Sequence, residues 1–174
     1  FRTIWPAGAG GDVAVIDQTL LPFAFEVRTL RRVEDAATAI RDMVVRGAPL
    51  IGVTTAYGVA LALREHPGDD SLAAAIETLV ATRPTAVNLR WAAERMRRAV
   101  ATWPPADRAA RAYAEAAAIA EEDVASCAAI GRHGLSLLRE LAHRQGRERI
   151  NVLTHCNAGW LACVDWGTAL APIY

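Results

Sequence analysis

A long uncharged run at residues 47–63 constrains the fold of this chain more than any other feature. It is bounded by Arg46 and Arg64, and it approaches the length of about 20 apolar residues that a membrane-spanning helix needs. The run also contains Pro49, Thr54 and Thr55, which interrupt its apolar character. We therefore expect a helix buried in the core of a folded domain, and not a membrane span.

Helical patterns lie on both sides of this run. From Val33 onward, apolar residues repeat on one face, and Gly47 is expected to end that helix. Pro49 suits the first turn of the next helix, which should run to about Glu65. Three further helices are predicted: one capped by Asp70 or Ser71 and ending near Thr82, one starting at Pro84 and Thr85 and ending by Pro104, and one from Asp107 to about Gln145, interrupted at Gly131 or Gly134.

The two ends of the chain have β-strand character. Residues 13–16 and 23–27 predict a small antiparallel sheet, with residues 4–5 as a third strand. Residues 150–155 predict a buried strand, followed by a turn at 156–159 and a helix from Trp160 onward. Because one strand cannot form a sheet, we expect this unit to be completed by residues outside the chain or by a neighbour. The predicted domains are residues 1–145 and the start of an α/β domain at 146–174.

Composition excludes several functions. All nineteen basic residues are arginine, which excludes a Schiff-base lysine, a lysine-bound pyridoxal phosphate and a lysine-bearing phosphate loop. The formal charge is zero and the arginines are scattered among nineteen acids, so we expect neither nucleic acid nor an anionic membrane as a partner. The three cysteines form no disulfide framework, which indicates reduced thiols in the cytoplasm.

Cys156 is a candidate reactive thiol. At the end of the predicted strand, its thiolate would be favoured by the amides of the following helix. Packing is the alternative, since cysteine is a common buried residue. A nucleophilic pair with His155 is disfavoured, because adjacent residues on a strand point to opposite faces. A metal site built from His133, His155, Cys156 and Cys163 lacks any known ligand spacing.

Two arginines are candidate phosphate ligands. Arg46 and Arg83 each precede a predicted helix start, where backbone amides lack intrahelical partners. The guanidinium offers a planar fork of donors to phosphate oxygens, and Gly47 permits close approach of a ligand to the backbone. Alternatively, each arginine caps the end of the preceding helix. We predict that both side chains converge on one anion site.

Four strings occur in order: LLP at 20–22, MVVRGAPLIG at 43–52, RPTAVNL at 83–89 and THCNAG at 154–159. In this order and spacing they resemble the amino-terminal half of the methylthioribose-1-phosphate isomerase family, and the similarity covers essentially the whole chain. The wider family also includes ribose-1,5-bisphosphate isomerase and regulatory subunits of eukaryotic initiation factor two-B. The resemblance implies a two-domain α/β fold. This chain would be mostly α, with a small antiparallel sheet, a helical domain and the first strand, turn and helix of a Rossmann-like parallel sheet.

The resemblance also implies a reaction. The family carries out an aldose–ketose isomerisation in methionine salvage, from 5-methylthioribose 1-phosphate to 5-methylthioribulose 1-phosphate, without a metal or an organic cofactor. By motif, Arg46, Gly47, Ala48 and Arg83 match substrate-binding positions and Cys156 matches the catalytic cysteine. The family's general acid is an aspartate of a later motif that this chain does not reach. We therefore expect the isolated chain to be inactive, and the complete enzyme to be a homodimer.

Two other functions stay open within the same fold family. Ribose-1,5-bisphosphate isomerase would keep both arginines but needs further positive charge for a second phosphate. A regulatory subunit without catalytic activity would bind a phosphorylated ligand or a partner protein, and the intact cysteine motif argues against it.

Overall fold

The computed structural model describes residues 1–146 and 149–174, and its secondary structure is mostly helical. The described elements follow in the order β1 (Ile4–Ala7), β2 (Asp12–Ile16), β3 (Val27–Leu30), α1 (Val33–Arg41), α2 (Ala48–Glu65), α3 (Asp69–Thr82), α4 (Val87–Val100), α5 (Pro105–Gln145) and a short 3-10 helix (Trp160–Ala162). The prediction of a mainly helical chain with a small antiparallel sheet is confirmed.

Helix α2 forms the centre of the core and contains most of the uncharged run. Every residue from Leu50 to Leu63 is buried, and the helix packs against α1, α3, α4 and α5. The hydroxyls of Thr54 and Thr55 donate to the carbonyls of Leu50 and Ile51, each at 2.8 Å. These bonds satisfy the two polar side chains inside an apolar environment. No helix in the described ranges is long and apolar enough to cross a membrane.

The three strands form one antiparallel sheet in the order β1-β2-β3. Ile4 lies opposite Val15, and Val13 lies opposite Leu30. All four side chains are buried in the core that contains α2. The third strand therefore comes later than the predicted strand at 23–27. That prediction was wrong because the chain turns there, with the amides of residues 23 and 24 both donating to the carbonyl of residue 20.

Several helix boundaries also differ from the predictions. Helix α3 begins after Gly68, so the predicted caps Asp70 and Ser71 lie inside its first turn. Helix α4 begins at Val87, because residues 83–86 form a turn in which the Ala86 amide donates to the Arg83 carbonyl at 2.9 Å. The second difference matters for function, since it places a turn between Arg83 and the start of α4.

Helix α5 continues without a break, so the predicted interruption at Gly131 or Gly134 was wrong. A methyl group at Gly131 would lie 3.1 Å from the Ala171 carbonyl oxygen, and one at Gly134 would overlap the Pro172 ring. The two glycines share one face of the helix and leave room for the end of the chain. Close tertiary packing explains these glycines, and helix propensity alone could not reveal it.

The segment at residues 150–155 is an extended coil without strand pairing, which corrects the prediction of a buried strand. Leu153 is 98% exposed. The physical reason is that a strand needs hydrogen-bonded neighbours, and the described residues offer none there. The predicted helix from Trp160 is likewise reduced to one 3-10 turn. Residues 147–148, in the second predicted domain, lie outside the described residues, and a division after residue 145 stays a prediction.

Candidate functional site

A cavity of about 570 Å³ lies where four chain segments meet. These segments are the residues directly after β2, the α1–α2 connection with the first turn of α2, the α3–α4 connection with the start of α4, and the chain from Cys156 into the 3-10 helix. The lining residues are Gln18, Met43, Arg46, Gly47, Ala48, Ile51, Arg83, Thr85, Ala86, Val87, Cys156, Asn157 and Leu161. All five residues singled out from the sequence are among them. In the described part of the chain, the charged side chains of this lining are the two arginines.

The α1–α2 connection brings Gly47 and Ala48 to the cavity wall. Gly47 is the N-cap residue of α2 and has a φ of 100°, in the region that favours glycine. A methyl group there would overlap the backbone and side chain of Ala162. Gly47 therefore allows the 3-10 helix to pack directly against the start of α2. No side chain caps this helix start in the described residues, so the first-turn amides remain available to a ligand.

Arg46 lies beside this helix start and is exposed. One guanidinium nitrogen, Nη2, donates to the Gln18 carbonyl at 3.1 Å. A guanidinium carries five N–H donors, so this bond leaves donors for a ligand in the cavity. The contact orients the side chain without neutralising its charge, because its acceptor is a backbone carbonyl.

Gln18 is a lining residue that the sequence analysis missed. It is buried; its Nε2 donates to the Leu161 carbonyl at 2.6 Å, and its own amide donates to the Val44 carbonyl at 3.0 Å. Together with the bond from Arg46, these contacts connect three of the four segments. The available signal was a run of three polar residues, 17–19, directly after an apolar strand.

The preceding residue, Asp17, holds this corner in place. Its carboxylate accepts hydrogen bonds from the Thr19 amide at 3.0 Å, the Thr19 hydroxyl at 2.5 Å and Arg28 Nη2 at 2.5 Å. Burial alone would raise the pKa of Asp17, but the hydrogen bonds from Thr19 and the nearby Arg28 charge lower it below its usual value. The carboxylate is therefore ionised at neutral pH and fixes the loop that carries Gln18.

Arg83 reaches the same cavity from the α3–α4 connection. It is half-buried and occupies the C-cap position of α3, which agrees with the capping alternative for its backbone. Its guanidinium has no hydrogen-bond or ion-pair partner among the residues that the structure describes. Helix α4 starts four positions later, after Ala86, and no side chain caps it in the described ranges. Arg46 and Arg83 thus line one cavity from different connections.

Cys156 lines the cavity together with Asn157. Cys156 is exposed and lies in a bend of the chain with a φ of 68°, not at the end of a strand as predicted. Because the helix that follows is only three residues long, activation of the thiol by a helix dipole has no support in this structure. His155 is exposed and is not among the described lining residues.

The chemistry of the lining suits a small phosphorylated ligand. Two guanidinium groups and the uncapped first turns of α2 and α4 offer donors to an anion. Met43, Ile51, Val87 and Leu161 supply an apolar wall. The Cys156 thiol lies on the same surface, so the cavity combines donors suited to an anion with a residue type that can act as a base or nucleophile.

Comparison with known proteins places this architecture in a family. Residues 44–173 match the Initiation factor 2 subunit family. The methylthioribose-1-phosphate isomerase of Methylorubrum populi is 63% identical over 174 residues, which is 100% of this chain and 47% of the relative. That of Rhodospirillum centenum is 62% identical over 173 residues, 99% of this chain and 46% of the relative. The chain spans about half the length of these curated relatives.

Solved structures agree with the sequence comparison. Subunit delta of translation initiation factor eIF-2B from A. fulgidus has a TM-score of 0.82 and 39% identity, covering 99% of this chain and 50% of that one. The 5-methylthioribose 1-phosphate isomerase of Pyrococcus horikoshii OT3 has a TM-score of 0.80 and 36% identity, covering 98% and 47%. The resemblance drawn from the four sequence strings is confirmed, and the chain belongs to the Initiation factor 2 subunit family.

Proposed function

We propose that this chain supplies the phosphate-binding half of an isomerase site that converts 5-methylthioribose 1-phosphate to 5-methylthioribulose 1-phosphate. The observation that carries the proposal is the single cavity lined by Arg46, Gly47, Ala48, Arg83 and Cys156. These residues come from three separate parts of the sequence, and the sequence motifs alone make each of them a candidate. The names of the relatives add support, since isomerases of this substrate match along the whole chain.

In this proposal the phosphate lies between the two arginines. Arg46 keeps donors free beyond its bond to Gln18, and the Arg83 guanidinium has no partner among the described residues. Backbone amides at the start of α2 complete the set of donors, with Gly47 allowing close approach. The apolar residues of the cavity then face the remainder of the sugar and exclude water from it.

The reaction needs groups beyond those that bind phosphate. Phosphate on the anomeric oxygen prevents simple opening to a free aldehyde, so a proton donor must help the ring oxygen to leave. The hydrogen on carbon two must then reach carbon one, either as a proton through an enediolate or as a hydride within an apolar pocket. Cys156 would act as the base in the first route and would stabilise the transition state in the second. The proton donor comes from outside these residues.

Substituting Arg46 by lysine tests the phosphate contact. In the full-length gene product, Arg46→Lys keeps the charge but loses the planar fork, so KM for methylthioribose 1-phosphate should rise about 10-fold to 100-fold, as expected for losing a hydrogen bond to a charged group. Arg98→Lys is a matched control, because Arg98 is exposed on α4 and does not line the cavity. Equal steady-state constants for the two variants would contradict a direct phosphate contact.

Turnover assays with two substrates test the function itself. We expect the full-length gene product to convert methylthioribose 1-phosphate with a much higher kcat/KM than ribose 1,5-bisphosphate, and the 174-residue chain alone to convert neither. The reason is that the lining offers two cationic side chains beside an apolar wall, which fits one phosphate and not two. A higher kcat/KM for ribose 1,5-bisphosphate would contradict the proposal and support ribose-1,5-bisphosphate isomerase activity instead. Turnover by the 174-residue chain alone would show that the proton donor lies within these residues, contrary to the proposal.

A regulatory role is the second candidate, favoured by the match to an eIF-2B delta subunit. It predicts binding of a phosphorylated sugar without conversion in the same assays.

We also propose a cytoplasmic location, since the curated relatives are metabolic enzymes, and we propose that the full-length product forms a homodimer. Analytical ultracentrifugation of that product tests the second point directly.

A further inference from the structure

Three potential metal ligands cluster outside the cavity described above. Cys127 and Asp123 lie one turn apart on α5, and Cys163 follows the 3-10 helix. Their donor atoms all lie within 4.8 Å of one another, and Cys127 Sγ is 3.8 Å from Asp123 Oδ1. Both thiols are buried. Neither cysteine has a role in the proposed isomerase site.

The spacing fits a tetrahedral ion with two sulphur ligands and one oxygen ligand. Zinc–sulphur bonds of about 2.3 Å and zinc–oxygen bonds of about 2.1 Å give ligand-to-ligand distances of about 3.6 to 3.8 Å at tetrahedral angles. Cys127 Sγ donates a hydrogen bond to Asp123 Oδ1 at 3.8 Å, which is about 0.2 Å above the sulphur-to-oxygen separation expected around such an ion. Two thiolates and a carboxylate are also the donor set that soft to borderline divalent ions prefer.

Hydrogen bonds around the cluster fix the orientation of its ligands. The Val164 amide donates to Asp123 Oδ2 at 2.7 Å, which leaves Oδ1 directed at the thiols. Thr3 holds the other side, because its hydroxyl donates to the Cys163 carbonyl at 2.5 Å and its amide donates to the Val164 carbonyl at 3.0 Å. Backbone and carboxylate contacts of this kind orient ligands in known metal sites.

A second cavity reaches the cluster at Asp123. It has a volume of about 410 Å³, lies between α2, α4 and α5, and includes Asp123, Glu122 and Ser126 in its wall. Asp123 is the carboxylate that this wall shares with the cluster, since Glu122 is paired with Arg95 at 2.5 and 2.7 Å. The cavity is large enough for the water that would complete four-fold coordination. The cluster therefore has three potential ligands whose orientations are held by hydrogen bonds, and Asp123 joins it to this cavity.

We propose that Asp123, Cys127 and Cys163 bind one zinc-type divalent cation, with water from the adjacent cavity as the fourth ligand. The ion would connect α5 to the segment at residues 161–164, which packs against Gly47 at the edge of the isomerase cavity. We assign the ion a structural role, because it would hold this segment against α5. It takes no part in the chemistry proposed for Cys156.

Cobalt spectroscopy on the reduced, chelator-treated 174-residue chain tests this site. We expect Co²⁺ to bind at one equivalent and to give the intense near-ultraviolet sulphur-to-cobalt absorption and the visible bands of tetrahedral coordination. Zn²⁺ should displace it and raise the melting temperature of the chain. Cys127→Ser and Cys163→Ser should each weaken Zn²⁺ affinity about 100-fold or more, since each removes a direct ligand.

Two further variants keep the test decisive if a cysteine variant folds poorly. Asp123→Asn retains an oxygen that accepts from the Val164 amide, so it should fold normally, keep a weak cobalt spectrum and bind Zn²⁺ about 10-fold to 100-fold less tightly. Cys156→Ser removes the exposed thiol and should bind cobalt like the parent. The proposal is overturned if the parent chain gives no sulphur-to-cobalt absorption, or if Cys156→Ser abolishes that absorption while Asp123→Asn leaves the affinity unchanged.

Discussion

Replacing Cys156 by alanine in the full-length gene product should lower kcat by about 100-fold to 10,000-fold, the usual contribution of a group that transfers a proton in the transition state. The free energy of unfolding should change by no more than about 0.5 kcal/mol, since Cys156 is exposed and its truncation leaves no buried cavity. A large loss of turnover without a loss of stability separates a catalytic thiol from a packed one.

The neighbouring residue provides a control for this prediction. His155 is exposed in the same coil but does not line the cavity in the described ranges, so His155→Ala should keep the parental kcat. Steady-state assays and urea denaturation should be run on the parent and both variants. If Cys156→Ala retains full turnover, the thiol has no catalytic role, and the cavity lining alone would then support only anion binding.

Periodicity and residue chemistry were sufficient to predict the helical core. The uncharged run predicted α2 because a helix free of charge on all faces is stable only when it is surrounded. Local motifs likewise predicted Arg46, Gly47, Arg83 and Cys156 as candidates, because arginine, glycine and cysteine at helix starts and turns have recognisable chemistry, and the family resemblance added Ala48. What these patterns share is that their physical cause lies within a few residues of the position they describe.

Features that depend on distant contacts could not be predicted in this way. The segment at 150–155 has the composition of a strand, but pairing requires partners that its own sequence does not specify. Gly131 and Gly134 resembled helix breaks because their packing against residues 171 and 172 is invisible in local sequence. Gln18 was missed for the same reason, since its hydrogen bonds join segments far apart in the chain.

Substituting Gly47 by alanine should destabilise the 174-residue chain by about 2 to 5 kcal/mol. The first contribution is the backbone conformation of Gly47, with φ 100° and ψ 137°, which costs a residue with a side chain about 1 to 2 kcal/mol. The second is overpacking of the new methyl group against Ala162, which costs about 1 to 3 kcal/mol where the neighbour cannot move freely. That neighbour includes backbone, so the 3-10 helix itself must shift.

Two other glycines separate these contributions. Gly8 has a φ of 69° with open space around it, so Gly8→Ala should cost only the backbone contribution of about 1 to 2 kcal/mol. Gly10 has open space and an ordinary φ, so Gly10→Ala should be neutral or slightly stabilising. Urea denaturation of the three variants measures the series. If Gly47→Ala lowers the free energy of unfolding no more than Gly8→Ala does, the 3-10 helix is not packed tightly against the start of α2. In that case the position of Leu161 in the cavity wall is not fixed by this contact.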